Sequence, residues 1–148
     1  MPPLRIRAGK NKLLLVFPSV LGHIESAVNT VINYLRSQRL WGLLDAFAFE
    51  LVLREGLTNA IEHGNHGDVS RNVTLLLSIS ANKLEINITD EGRGFDLAAL
   101  TPSEQNPLTN HRGRGIPLMQ NYGFNPSYNA VGNQLNLSKQ FPEPVLKG

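Results

Sequence analysis

The chain has 148 residues, a formal net charge of +2, 41% hydrophobic and 18% charged residues, the balance of a globular domain rather than a disordered or fibrous chain. No apolar run reaches the roughly 18 residues that a membrane-spanning helix needs, and no basic block of the nucleic-acid-binding kind is present, so neither a membrane nor a nucleic acid is an expected partner. The absence of cysteine excludes disulfides, thiolate metal sites and a cysteine nucleophile together, and fits a cytoplasmic protein.

Lys12–Pro18, KLLLVFP, is too short for a helix and closes on a proline, so it predicts a strand rather than the core of a signal peptide. Leu21, Ile24, Val28, Val31, Ile32 and Leu35 then recur at helical spacing and predict an amphipathic helix. His23, near its start, reads as a surface residue. After a connector around 39–42, a longer helix is expected over about 43–63, with Phe49, Leu53, Leu57, Ala60 and Ile61 on its core face. It stops at HGNHGD, where Gly64 is expected just past the last turn and His63 can face the terminal carbonyls.

The period then falls to two. Residues 73–80 and 83–89 alternate around Ala81 and Asn82, which predicts a hairpin. Residues 93–115 are rich in Gly, Pro, Asn and Ser without a period, and a stretch of that kind inside a compact domain is usually functional or mobile. A short helix is expected at 116–121, with Pro117 in its first turn, and a last hairpin with strands near 126–130 and 134–140 around Gly132 and Asn133. The order β-α-α-β-β-lid-α-β-β implies one domain over 1–148 with its core at about 12–140. Its class is α/β in the α+β sense: a two-layer sandwich whose largely antiparallel mixed sheet carries helices on one face.

Four stretches carry polar residues that chemistry could use. In FELVLREGLTNAIEHGN, Glu55, Asn59 and Glu62 are spaced four and three apart and share a helix face, which either meets water or lines a pocket. Asn59 is a mediocre helix former in an otherwise helix-friendly run. DEGRGFD leaves a strand with Asp90, an acceptor-only carboxylate, and with Gly92 and Gly94, which allow close approach to bare backbone; an ordinary turn has the same composition. HRGRGIPLM sets Gly113 and Gly115 before a short helix, where free amides and the charges of Arg112 and Arg114 suit an anion, or form a solvated loop. GNQLNLSK is an alternating terminal strand. Glu62, His63, His66 and Asp68 could suggest a metal site, but capping at a helix end and turn accounts for them more simply.

Together and in this order, the four stretches resemble the nucleotide-binding Bergerat fold of the GHKL ATPase and kinase superfamily. EGLTNAIEHGN looks like its N box, DEGRGFD its first glycine box, RGRGIPLM its second and GNQLNLSK its closing strand, so the resemblance covers about 12–140. E-x-x-x-N-A-x-x-H-G with a short lid, about 95–115, is most similar to the anti-sigma-factor serine kinases. The resemblance implies ATP or ADP with Mg²⁺ as cofactors. It also implies a serine/threonine kinase activity toward an anti-anti-sigma (STAS-type) protein, binding to a sigma factor, and allows a homodimer. It makes Asn59 the Mg²⁺ ligand and Glu55 the general base. Asp90, Gly92, Gly94 and Asn133 then fall on the adenine side, and Arg112, Gly113, Arg114 and Gly115 on the phosphate side.

Three departures stand out. Arg112 occupies a position usually held by glycine, Asn133 follows Gly132 where threonine is common, and the lid has no distinctive motif. A nucleotide-dependent binding module without transfer activity would carry nearly the same residues. The catalytic domain of a histidine kinase is a third reading, with His23 in LGHIES as its tempting phosphoacceptor. That stretch lacks the Glu-x-x-Thr-Pro character of such sites.

Overall fold

The computed structural model describes residues 4–92, 124–129 and 132–146. The expected lid and the short helix at 116–121 lie outside them. Strict alternation in β2 (Lys12–Pro18), β3 (Asn72–Ser80), β4 (Lys83–Thr89) and β6 (Gln134–Gln140) builds one buried sheet face. The register aligns it: Leu15 stands opposite Leu75, Leu75 opposite Ile88, and Ile88 opposite Leu135. A slip of one residue would turn this face to water, so the pairing is strongly specified. The opposite face is polar, with the Asn136 amide donating to Asn87 at 2.6 Å and to Glu85 at 3.3 Å.

Against the apolar face pack α1 (His23–Ser37) and α2 (Ala46–Asn59), which contribute Val28, Val31, Leu35, Phe49, Leu53 and Leu57 to the same core. Burying a side chain of this size stabilises the fold by roughly 1.5–3 kcal/mol. The result is the expected two-layer α/β arrangement. Its six strands run in the order β1-β2-β3-β4-β6-β5, with β5 at Asn125–Tyr128, and every pairing among the described residues is antiparallel.

Three details differ from the sequence reading. An edge strand, β1 (Arg5–Gly9), joins β2 through a turn with Asn11 at φ 63°. All five of its residues are exposed, so RIRAG carries no alternation to read. Leu21 lies outside α1 and is 51% exposed. Finally, Trp41–Leu43 forms a 3-10 turn, and α2 begins only after Asp45, whose carboxylate accepts a hydrogen bond from the Ala48 amide at 3.1 Å.

The two helices are tied at the surface by Arg54 and Glu25, 2.8 Å apart. The Arg54 hydrogen bond and charge hold the Glu25 carboxyl below its ordinary value. Such an exposed pair orients the helices more than it stabilises them. No helix among the described residues is long and apolar enough to cross a membrane.

Candidate functional site

The site begins where α2 ends. After Asn59 the helix widens into a π turn, Ala60–Gly64, closed by the Asn65 amide bonding to the Ala60 carbonyl at 2.9 Å. Such wide turns recur at functional sites. Gly64 is buried and pressed against the end of β4: a methyl group there would stand 2.1 Å from Asp90 Oδ2. Gly92 makes the reciprocal contact, since a methyl on it would stand 2.1 Å from the Gly64 carbonyl oxygen. Gly64 is therefore a point of close approach and not the residue that reverses the chain. The reversal falls on His66 and Gly67, at φ 52° and 68°.

Asp90, directly after β4, is 6% exposed. Its amide donates to the Asn133 carbonyl at 2.9 Å, and its Oδ1 accepts from the Gly92 amide at 2.8 Å. Asn133 sits at the head of β6. Its side chain reaches back to the Asp90 carbonyl at 3.4 Å and accepts from the Asn129 amide at 2.8 Å.

Between helix and sheet lies a narrow cleft lined by Gly56, Asn59, Ala60, Ile88, Asp90, Tyr128 and Leu135. Its floor is apolar, and its polar groups come from α2, the end of β4 and β5. Gly56 lets α2 lie close on the sheet at this point, because a methyl there would stand 2.8 Å from Ile88 Cδ1. Among the described residues, two buried side-chain nitrogens have no hydrogen-bond partner: Asn59 Nδ2 and His23 Nε2. An unsatisfied buried amide costs about 1–3 kcal/mol, and that of Asn59 stands at the wall of the cleft. An Asn amide can present either Oδ1 or Nδ2 at that point by turning over. The donor set thus suits a ligand offering either an oxygen or a hard cation.

Asn59, Asp90, Gly92 and Asn133 are thus brought together. Glu55 lies one turn before Asn59 on α2, half-buried and outside the cleft lining. Glu62 is exposed. Gly94, Arg112, Gly113, Arg114 and Gly115 lie outside the described residues. Around the helix end, no group of three or more His, Asp or Glu side chains converges as a metal site among the described residues. Asp68 instead closes a local turn, accepting from the Ser70 hydroxyl at 2.7 Å and the Ser70 amide at 2.9 Å, bonds that lower its carboxyl pKa.

His23 is half-buried, neither fully at the surface as its position suggests nor in the core. Its Nε2 is buried and its ring packs 6.0 Å from that of Phe17. The sequence reading also passed over Asn65, which is fully buried; in HGNHGD it looks like ordinary turn chemistry. A larger cavity of about 540 Å³ lies elsewhere, among Gln38, Leu40, Leu43, Phe141 and Val145, and gathers none of the residues singled out in the sequence.

Residues 17–139 match the histidine kinase-like ATPase domain. The chain belongs to this family. The match runs from the end of β2 through β6 and takes in the whole cleft. A curated relative, an anti-sigma F factor of Shouchella clausii (strain KSM-K16), is 28% identical over 115 residues, which is 76% of this chain and 78% of the relative. The GHKL resemblance carried by the four boxes and the two-layer α/β fold inferred from the element order therefore stand.

Proposed function

We propose that the chain is an ATP-binding regulator of the anti-sigma type that phosphorylates a serine or threonine on a small anti-anti-sigma partner and binds a sigma factor in the other state of the switch, acting in the cytoplasm as one domain over 1–148. The observation that carries the reading is the buried, unpartnered Nδ2 of Asn59 at a cleft that Asp90 also lines. Likeness to an anti-sigma F factor supports the regulatory half.

In this reading the adenine ring lies in the apolar slot over Ile88 and Leu135, and Asp90 accepts from its exocyclic amine. The Gly92 amide braces that carboxylate from the loop, and Asn133 holds the Asp90 backbone from β6. Asn59 turns its amide oxygen toward Mg²⁺, a hard ion that prefers oxygen ligands. When bound, that ion would offset charge on the phosphates. Glu55, half-buried one turn away, has no hydrogen bond or ion pair among the described residues and serves as the general base toward the attacking hydroxyl. Gly94, Arg112, Gly113, Arg114 and Gly115 are assigned to the lid and the phosphates by the family pattern alone.

The test is incubation with labelled ATP and Mg²⁺ in the presence of small anti-anti-sigma proteins. Asn59→Ala, checked for folding by circular dichroism, is expected to lower transfer by about a hundredfold or more, as loss of a preorganised electrostatic group does. Undiminished transfer would remove the metal role from Asn59. ATP binding with no transfer to any partner would favour the nucleotide-dependent binding module. Acid-labile phosphate on the chain itself would favour a histidine-kinase-type system, against which the buried Nε2 of His23 argues.

A further inference from the structure

We infer that Asn65 is the positioning residue for adenine recognition, acting through the peptide that follows Asp90. The inference rests on the nucleotide reading of the cleft, but Asn65 does not itself line that cleft. Its side chain is a saturated buried amide. Nδ2 donates to Ser19 Oγ at 2.8 Å and to the Asn72 carbonyl at 3.0 Å, while Oδ1 accepts from the Glu91 amide at 2.8 Å. A backbone carbonyl on one side and a backbone N–H on the other fix which end is oxygen. Ser19 passes the chain on, its hydroxyl donating to the Arg71 carbonyl at 2.7 Å.

One amide thus fastens the end of the π turn to the end of β2, the start of β3 and the loop after β4. The Glu91 carboxylate reinforces the last connection by accepting from the Asn72 amide. The bond to Glu91 N matters most for recognition, because it fixes the peptide plane joining Asp90 to Glu91. Asp90's bond to Gly92 is local and would travel with the loop. Without Asn65 Oδ1, that peptide keeps only the longer 3.4 Å bond from Asn133 to its carbonyl, and the looser plane lets the Asp90 carboxylate drift from a base in the slot. Buried networks of this kind specify one geometry when every member is satisfied.

A purely structural role and a positioning role differ in what Asn65→Ala does to folded protein. Both lower the melting temperature. Only positioning erodes the preference for ADP over GDP, because that preference depends on where the carboxylate points. Titration calorimetry of ADP and GDP into wild type and Asn65→Ala, at a temperature where both are folded, is expected to show the ADP:GDP affinity ratio falling by about tenfold. Should Asn65→Ala not fold, Ser19→Ala removes one acceptor of the same amide without touching the cleft, and is expected to lower the ratio by about threefold. An unchanged ratio in the folded variant, with wild type still preferring ADP, overturns the inference and leaves the nucleotide reading intact. Wild type that binds neither nucleotide overturns both.

Discussion

Gly64→Ala is expected to cost about 1–3 kcal/mol of stability, as overpacking of a tight interior does, and to abolish nucleotide binding along with it. The backbone there is not in the left-handed region, so alanine has no conformational objection to it. The difficulty is space. The new methyl would lie 2.1, 2.3 and 2.8 Å from the three atoms of the Asp90 carboxyl group. A long surface side chain would step aside, but Asp90 is short, buried and hydrogen-bonded to Gly92. The helix end or the carboxylate must move, and either motion spoils the cleft. Denaturant unfolding with parallel ADP titration checks this. Gly42→Ala, where a methyl meets nothing within 4 Å, is the control and is expected to stay within about 0.5 kcal/mol of wild type. Wild-type affinity in Gly64→Ala would mean that Asp90 does not need its present position.

Asp90→Asn is expected to keep the fold and lose adenine affinity by about 10- to 100-fold, the range for a hydrogen bond to a charged group. Asparagine preserves the shape and an oxygen that can accept from Gly92 N, so the loop keeps its local bond. With that oxygen so engaged, the other end of the group becomes an NH₂, a donor facing the donor amine of adenine. Melting temperature and ADP affinity should therefore separate, the first nearly unchanged and the second strongly reduced. A matching drop in both would reassign Asp90 to structure alone.

The regular parts of this fold were legible because burial imposes a period. KLLLVFP, the alternating runs of 73–80 and 83–89, and the 3.6-residue rhythm of the first helix each announced their elements. RIRAG did not, since an exposed edge strand buries nothing and owes its existence to pairing with β2. At the site, Asn59 stood out as a mediocre helix former in a helical run, whereas Asp90, in a stretch of ordinary turn composition, drew attention only together with the other boxes. Gly64 and Asn65 were not, because their reasons are tertiary. A glycine after a helix has an obvious local explanation, and only the approach of β4 reveals the other. Asn65 in a turn looks like turn chemistry until Ser19, Asn72 and Glu91 gather around it from distant positions in the chain. The π turn was equally hidden, its closure depending on where the helix end is packed rather than on residue propensity.

The central claim, that the cleft between α2 and β4 takes an adenine nucleotide, is tested most directly by following backbone amide NMR signals while ADP and Mg²⁺ are added. Saturable shifts are predicted at Gly56, Asn59, Ala60, Ile88, Asp90, Tyr128 and Leu135, the residues that line it. Signals there that stay still while Gln38, Leu40, Phe141 and Val145 around the larger cavity move would contradict it.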